Sequence, residues 1–180
     1  MTTSRLLSCL AAVLLLLASG GAQRMHQPLS PAEIDQLRDT ATEPELRLKL
    51  FTKFARARLA ALEQMRSDPK VTDRGLKTHD QLEDFVALYD ELNDNIDTYV
   101  DRKDDVRKPL KAVIEADTEF QAKLRALKSA TGVQEAEAKQ YEFVLSNAMD
   151  ALDSSATDHR KLLVEEEEAA KHKKKKTTSP

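Results

Sequence analysis

Hydrophobic and polar residues alternate with a helical period along most of the chain. In the segment 78–104, apolar and aromatic side chains recur at spacings of three and four, which predicts one buried helix face. That face consists of Leu82, Phe85, Tyr89, Leu92, Ile96 and Tyr99. Comparable patterns in 42–66, 105–130 and 134–171 predict three more long helices. Because their connections are short, we expect an all-α fold: an antiparallel four-helix bundle preceded by a short N-terminal helix.

Local signals mark the predicted helix ends. Three segments carry a serine or threonine followed three residues later by Glu or Gln, the capping-box pattern of a helix N-terminus. The pairs are Ser30 with Glu33, Thr42 with Glu45, and Thr78 with Gln81. Gly132 predicts the end of the fourth helix. Pro109 predicts either a kink in one long helix or the first turn of a new helix capped by Asp105.

The N-terminal segment has the pattern of an export signal. Arg5 precedes the apolar stretch Leu6–Ala18, and small residues end at Ala22. This order predicts a signal peptide over 1–22 with cleavage after Ala22, and an uncleaved anchor is the alternative. We then expect a flexible lead-in over 23–29, a helical bundle domain over 30–171 and a disordered basic tail over 172–180. The predicted location is the periplasm or the exterior of a bacterial cell.

Composition excludes several classes of chemistry. Cys9 is the only cysteine and lies in the predicted signal, so the mature chain has no disulfide, thiolate nucleophile or zinc–cysteine site. Phosphate-binding glycine motifs and H-E-x-x-H are absent. The net charge is only −3, which gives no global field for nucleic acid. We expect no enzyme, no cofactor, no nucleic-acid partner and no small-molecule substrate.

The third predicted helix also carries a row of carboxylates opposite its apolar face. Its central members are Asp90, Asp94, Asp97 and Asp101, which recur at spacings of three and four. Neighbouring carboxylates could hold a hard cation weakly. A multi-ligand site in a bundle needs carboxylates that point inward from several helices, whereas these point outward from one. The favoured prediction is therefore a solvated face, and a weak divalent-cation site is the alternative.

The second predicted helix is basic. Its cationic residues are Arg47, Lys49, Lys53, Arg56 and Arg58. We expect this helix to lie beside the acidic third helix, with each exposed pair contributing a few tenths of a kcal/mol. A basic face for an acidic partner or an anionic lipid surface is the alternative.

Three polar residues lie in the middle of apolar faces: Arg58, Asp117 and His159. Since burying a lone charge is costly, Arg58 and Asp117 should either pair with each other or reach solvent separately. His159 is predicted to be a structural or exposed histidine at the level of Arg47 and Lys103. Ser155 lies one turn before His159, but without an orienting acid and an oxyanion hole the two residues do not predict a hydrolase.

The C-terminus changes from acidic to basic over a few residues. Four glutamates over 165–168 precede a lysine cluster, and its last members are Lys173, Lys174, Lys175 and Lys176. Cations suit a helix C-terminus, so a soluble helix end is the simpler interpretation. The alternative is an interaction tail that makes weak contact with anionic lipid or an envelope polymer.

The segment "LSPAEIDQLR", Leu29–Arg38, resembles the opening L-T-x-x-Q motif of the periplasmic envelope-stress chaperones, with Glu33 in place of the glutamine. Such proteins are exported, all-helical and poor in cysteine, and the resemblance covers about ten residues. It implies a chaperone-like, client-binding role as the first alternative. The main prediction is a periplasmic structural or protein-interaction module with an unknown protein partner.

Overall fold

The capping box at Ser30 opens the first helix as predicted. In the computed structural model, which describes residues 27–177 with side chains up to Lys173, Ser30 Oγ accepts from the backbone N–H of Glu33, and a Glu33 carboxylate oxygen accepts from the backbone N–H of Ser30. All regular structure in this range is helical. The helices are α1 (Pro31–Asp39), α2 (Pro44–Ser67), α3 (Arg74–Asp101), α4 (Arg107–Lys128) and α5 (Glu135–Thr177).

The other two predicted capping boxes are wrong. Helix α2 starts after Glu43, which makes no side-chain cap, and Thr42 lies outside the helix. Helix α3 starts at Arg74, so Thr78 lies inside the helix and is fully buried. Its hydroxyl accepts from Arg66 on α2 instead. At Thr78, a tertiary contact therefore overrides the local start signal.

A short non-helical connection separates α3 from α4, so they are two helices and not one kinked helix. Lys103 has φ 63°, a left-handed conformation, and the backbone becomes helical again at Arg107, so Pro109 lies in the first turn of α4. Asp105 accepts from the backbone N–H of Arg107, close to the capping role predicted for it, although Val106 is the N-cap residue. Gly132 has φ 77° in the α4–α5 connection, as its glycine signal suggests.

The chain forms a helical bundle of two hairpins. Helices α2 and α3 form one antiparallel hairpin and α4 and α5 form the other, while α3 packs on α5 and α2 packs on α4 in parallel. Helices α3 and α4 are consecutive but lie diagonally across the core. The pairs that fix these directions are Arg47–Asn95, Arg66–Thr78, Glu45–Lys108, Arg56–Glu119, Asn93–Ser155, Gln121–Asp153 and Lys111–Glu167.

The all-α fold is thus confirmed, whereas an antiparallel arrangement holds only within each hairpin. The predicted apolar face of α3 is buried along its whole length, from Leu82 to Tyr99. Its aromatic rings pack against α4: the Phe85 ring meets Phe120 edge-on with centroids 5.4 Å apart. None of the helices described has a stretch apolar and long enough to cross a bilayer.

Helix α1 lies against α2 and is held by arginines of that helix. Arg47 donates to the backbone oxygen of Leu37 at 2.6 Å, and Leu37 is the buried residue of α1. Helix α1 contacts none of the other helices through its backbone. It therefore depends on α2 for its position.

Candidate functional site

A chain of polar groups crosses the centre of the bundle. Asp117 on α4 is completely buried, and its two carboxylate oxygens have different partners. The hydroxyl of Tyr89 on α3 donates to Oδ1 at 2.8 Å, and Nδ1 of His159 on α5 lies 2.9 Å from Oδ2. With Asp117 as a carboxylate, the imidazole proton lies on Nδ1. This arrangement joins three helices, including the diagonal pair α3 and α4.

Burial, and then the Asp117 carboxylate, raise the pKa of the Tyr89 hydroxyl far above its ordinary value. Tyr89 is therefore a hydrogen-bond donor to Asp117 throughout the neutral range. The helical pattern of the sequence places Tyr89 among the apolar residues of α3 and does not reveal its polar role. Its hydroxyl is the signal that could have revealed that role, because a buried tyrosine usually has a hydrogen-bond partner.

The predicted Arg58–Asp117 pair is wrong, because both residues have other partners. Arg58 donates to both carboxylate oxygens of Glu33 at 3.0 and 2.7 Å and to the backbone oxygen of Pro28 at 2.6 Å. Its Nε also lies 3.8 Å from Asp84. Arg58 therefore attaches α1 and the preceding residues to the α2–α3 hairpin. Partial burial disfavours ionised Glu33, but hydrogen bonds from Arg58 and Ser30 hold its pKa below the ordinary value.

The predicted level of His159 in the bundle is also wrong. Helix α5 is shifted along α4: Asp153 accepts from Gln121 and Asp117 meets His159, so the first turns of α5 project past the end of α4. The connection 129–134 spans this offset. The expected position assumes a tight α4–α5 hairpin. Such a hairpin would place His159 near Lys103, before the start of α4, and not beside Asp117 in the middle of that helix.

Ser155 extends the polar chain towards the surface. Its Oγ accepts from Nδ2 of Asn93 at 3.0 Å, and it lies close enough to the Tyr89 hydroxyl to oppose slightly the rise in the pKa of that group. His159 has the orienting acid whose absence the sequence suggested, namely Asp117. However, no hydrogen bond joins Ser155 to His159 among the described residues. The seryl oxygen belongs to the structural chain and is not activated by the imidazole.

The acidic residues of α3 form a solvated row. Asp90, Asp94, Asp97 and Asp101 are all exposed, in agreement with the favoured interpretation of a solvated face. Partial burial, and then the like charges of Asp94 and Glu91, raise the pKa of Asp90. The carboxylates therefore repel one another. These four residues do not form a convergent ligand group, so the candidate metal site at them gains no support from geometry.

A different group near the start of α3 has ligand-like spacing. One ligand atom from each of His79, Asp80 and Glu83 lies within 4.8 Å of the others. His79 is half-buried and the two acids are exposed. The i, i+1 and i, i+4 spacing on one helix brings these groups together without any help from a second helix. Geometry of this kind is common on charged helix surfaces.

The basic residues of α2 pair mainly with helices other than α3. Arg56 meets Glu119 of α4 at 2.8 Å, and Arg58 meets Glu33 of α1. Arg47 donates to the uncharged Asn95 on α3. Helices α2 and α3 are neighbours, as predicted, but the row of carboxylates on α3 faces solvent away from α2. The charge pattern thus identified the neighbouring helix. Arg58–Asp84 at 3.8 Å joins α2 to α3, whereas the exposed row of carboxylates forms no ion pair with α2 among the described residues.

A groove separates α2 from α4. It encloses about 950 Å³. The apolar residues that line it are Leu46, Leu50, Pro109, Ala112 and Val113. The end of α1 also contributes to the lining, through Gln36, Asp39 and Thr40. Leu46 remains 42% exposed, although it is a large apolar residue. The sequence does not reveal this groove, because a helix pattern identifies apolar faces and not the spacing between neighbouring helices.

Ion pairs close the two ends of the groove. Lys108 on α4 contacts Glu45 on α2 at 2.7 Å, and Arg56 contacts Glu119 at 2.8 Å further along. The rim between them contains Lys49 and Lys53 on the α2 side and Glu115 on the α4 side. These three side chains form no ion pair with any of the described residues.

The C-terminal part of α5 continues further than predicted. The helix extends to Thr177, into the segment 172–180 that the sequence predicts to be disordered. Lys173 is exposed. Hydrogen bonds from Arg107 lower the pKa of Asp105 to about 2, and the positive charge of Lys173 makes a smaller contribution in the same direction. The side chains of Lys174, Lys175 and Lys176 lie outside the described residues, as does the predicted signal peptide.

Comparison with known proteins gives no relative: no family model, curated protein or solved structure matches the chain.

Proposed function

We propose that this chain is an exported, non-enzymatic helical-bundle protein that binds a protein partner through the groove between α2 and α4. The observation that supports the proposal is the apolar floor of this groove, which lies open between two helices that pack in parallel. An exposed apolar surface with a charged rim is typical of protein-interaction sites. In this role, the bundle is a rigid scaffold and the groove is its binding surface.

Export is supported by the order of residues at the N-terminus. The positive Arg5, the apolar Leu6–Ala18 and the small residues ending at Ala22 together favour cleavage after Ala22. The mature protein would then begin at Gln23. Intact mass and N-terminal sequencing of protein recovered from the cell envelope test this part independently. A chain that retains residues 1–22 would instead support an uncleaved anchor.

Site-specific photo-crosslinking in the native cell tests the groove. A photoreactive amino acid at Ala112, which lines the groove, should give a discrete adduct with one partner. Ala122 provides a matched control, because it is exposed on the same helix but outside the groove. The adduct at position 112 should disappear when Leu50→Asp places a charge on the groove floor.

Equal adducts from positions 112 and 122 would contradict binding in the groove. An adduct of twice the chain's mass would identify a second copy of this protein as the occupant. The probes at Ala112 and Ala122 should retain the helical circular dichroism of the wild type, because both positions are exposed. Leu50 is half-buried, so Leu50→Asp is compared at a temperature at which its circular dichroism matches that of the wild type. A loss of adduct without a loss of fold therefore reports on the groove itself.

A chaperone-like role is the alternative that specific observations favour. Large apolar residues are exposed at both ends of the bundle, with Phe143 86% exposed and Leu76 and Val164 55% exposed. A chaperone should suppress aggregation of an unfolded client at up to equimolar ratios. Suppression that depends on Phe143 and not on Leu50 would favour this alternative over the groove.

A further inference from the structure

The length of the groove sets the size of its occupant. The ion pairs Glu45–Lys108 and Arg56–Glu119 close its ends, so it spans the same number of residues on both helices. At about 1.5 Å of rise per residue, that length is roughly 17 Å, or about three helical turns. This interval holds a helical segment of about eleven residues.

The walls of the groove favour a helical occupant over an extended one. Both walls are helices, whose backbone N–H and C=O groups already bond within the helix. An extended segment pressed on the apolar floor would find no sheet edge to satisfy its backbone groups. A helix satisfies its own backbone and can place one apolar stripe on Leu46, Leu50 and Ala112.

The unpaired rim charges define the edges of that helix. Lys49 and Lys53 are one turn apart on α2, so their ammonium groups present a pair of positive charges with i, i+4 spacing. Lys53 lies over the Phe54 ring at 5.8 Å, which leaves its charge near the rim. Glu115 supplies a negative charge on the opposite wall.

We infer that the occupant is an amphipathic helix of another protein, about three turns long, with two carboxylates at i, i+3 or i, i+4 facing Lys49 and Lys53 and a cation facing Glu115. This inference rests on the proposed function, because it specifies the partner at the same groove. The apolar stripe provides affinity, and the charged edges select the partner and its direction.

Fluorescence anisotropy with two capped, labelled 14-residue peptides tests the inference. Both peptides have one leucine stripe; the first has glutamates on one edge and lysines on the other, and the second has lysines on both edges. Simply exchanging the two edges would be uninformative, because a helix can reverse its direction in the groove. The first peptide should bind about three- to tenfold more tightly, since each exposed ion pair contributes little.

Charge reversal on the protein provides the decisive comparison. The double variant Lys49→Glu, Lys53→Glu makes both walls acidic, so the peptide with lysines on both edges should become the preferred one. The control Lys70→Glu, Lys77→Glu changes the net charge equally at exposed positions outside the groove and should keep the original preference. High salt should reduce the difference between the peptides.

Each outcome has one meaning. Equal binding of the two peptides, no binding of either, or an unchanged preference in Lys49→Glu, Lys53→Glu overturns the inference. If Ala112 still crosslinks a partner in cells, the proposed function survives and only the partner's chemistry is wrong. If Ala112 captures nothing beyond the Ala122 control, the proposed function fails as well.

Discussion

At the scale of single residues, the core tolerates Asp117 because both of its oxygens have donors. A buried carboxylate without partners would cost several kcal/mol, whereas Tyr89 and His159 satisfy this one from two neighbouring helices. The sequence identifies Asp117 and His159 as polar residues on apolar faces. It cannot identify their partners, because helical periodicity gives the face of a residue but not its level along the bundle.

The substitution Asp117→Ala should destabilise the protein by about 2–4 kcal/mol, because it leaves two buried donors unsatisfied. Urea unfolding followed by circular dichroism measures the change in the free energy of unfolding. Asp94→Ala, at an exposed carboxylate, is the matched control and should leave the unfolding midpoint nearly unchanged. Equal effects of the two substitutions would show that the buried polar chain contributes nothing to stability.

At the scale of helices, a tertiary contact can override a local start signal, as Ser30 and Thr78 show. Ser30 caps α1 at an exposed position, and its capping box forms as the sequence predicts. Thr78 has the same signal but is buried against α2, where Arg66 uses its hydroxyl. Packing of the hairpin therefore extends α3 by a full turn beyond the predicted start.

The contact between α3 and α5 requires a glycine near the start of α3. A Cβ at Gly75 would lie 2.9 Å from the backbone oxygen of Glu137 and would overlap the Gln140 side chain. Gly75→Ala should therefore destabilise the bundle by about 1–3 kcal/mol, which outweighs the smaller gain in helix propensity at a helix end. The unfolding midpoint in urea gives the measurement.

Gly75→Ala combined with Gln140→Ala separates the two contacts. Truncation at position 140 removes the flexible side chain, so only the overlap with the backbone oxygen of Glu137 persists. The double variant should therefore remain less stable than Gln140→Ala alone. A double variant as stable as Gln140→Ala would show that the helices adjust at no cost.

Helix α1 should unfold locally, without the rest of the bundle, when the contact between Arg58 and Glu33 is weakened. Lysine cannot form the two-pronged contact with Glu33, and charge-assisted bonds contribute roughly 1.5–3 kcal/mol. Arg58→Lys should thus speed amide hydrogen exchange in 31–39 by about tenfold or more while exchange in α3 stays unchanged. Arg38→Lys alters an exposed pair with Asp35 and serves as the control. Equal exchange in both variants would contradict the anchoring role of Arg58.

At the scale of the whole molecule, the sequence predicts the class of fold and not the arrangement of its helices. Apolar periodicity identifies four long helices because each buries a continuous face. It does not determine that α3 and α4 lie diagonally, since several arrangements bury the same faces. The shift of α5 along α4 decides which polar residues meet, and it depends on how the connection 129–134 spans the gap.

Global stability should fall in alkaline solution because of the buried tyrosines. Burial, and for Tyr89 also Asp117, raise the pKa of Tyr89 and Tyr99 in the folded protein. An unfolded tyrosine ionises near pH 10, so above that pH the unfolded chain binds fewer protons than the folded one and stability decreases as pH rises. Tyr89, whose pKa is raised far, contributes a slope of at most about 1.4 kcal/mol per pH unit above the pKa of the unfolded tyrosine.

The variant Tyr89→Phe isolates this effect. Loss of the hydrogen bond to Asp117 lowers the stability of the variant at every pH. Because phenylalanine has no hydroxyl to ionise on unfolding, the stability of the variant should decline less steeply above pH 10 than that of the wild type. Urea unfolding at several pH values gives both slopes, and the lysines, which titrate in both proteins, cancel in the comparison. In the wild type, the phenolate absorbance due to Tyr89 should appear only as the protein unfolds, and not at a lower pH at which the protein is still folded. Identical slopes in the two proteins would mean that Tyr89 ionises within the folded bundle, which the enclosed contact with Asp117 opposes.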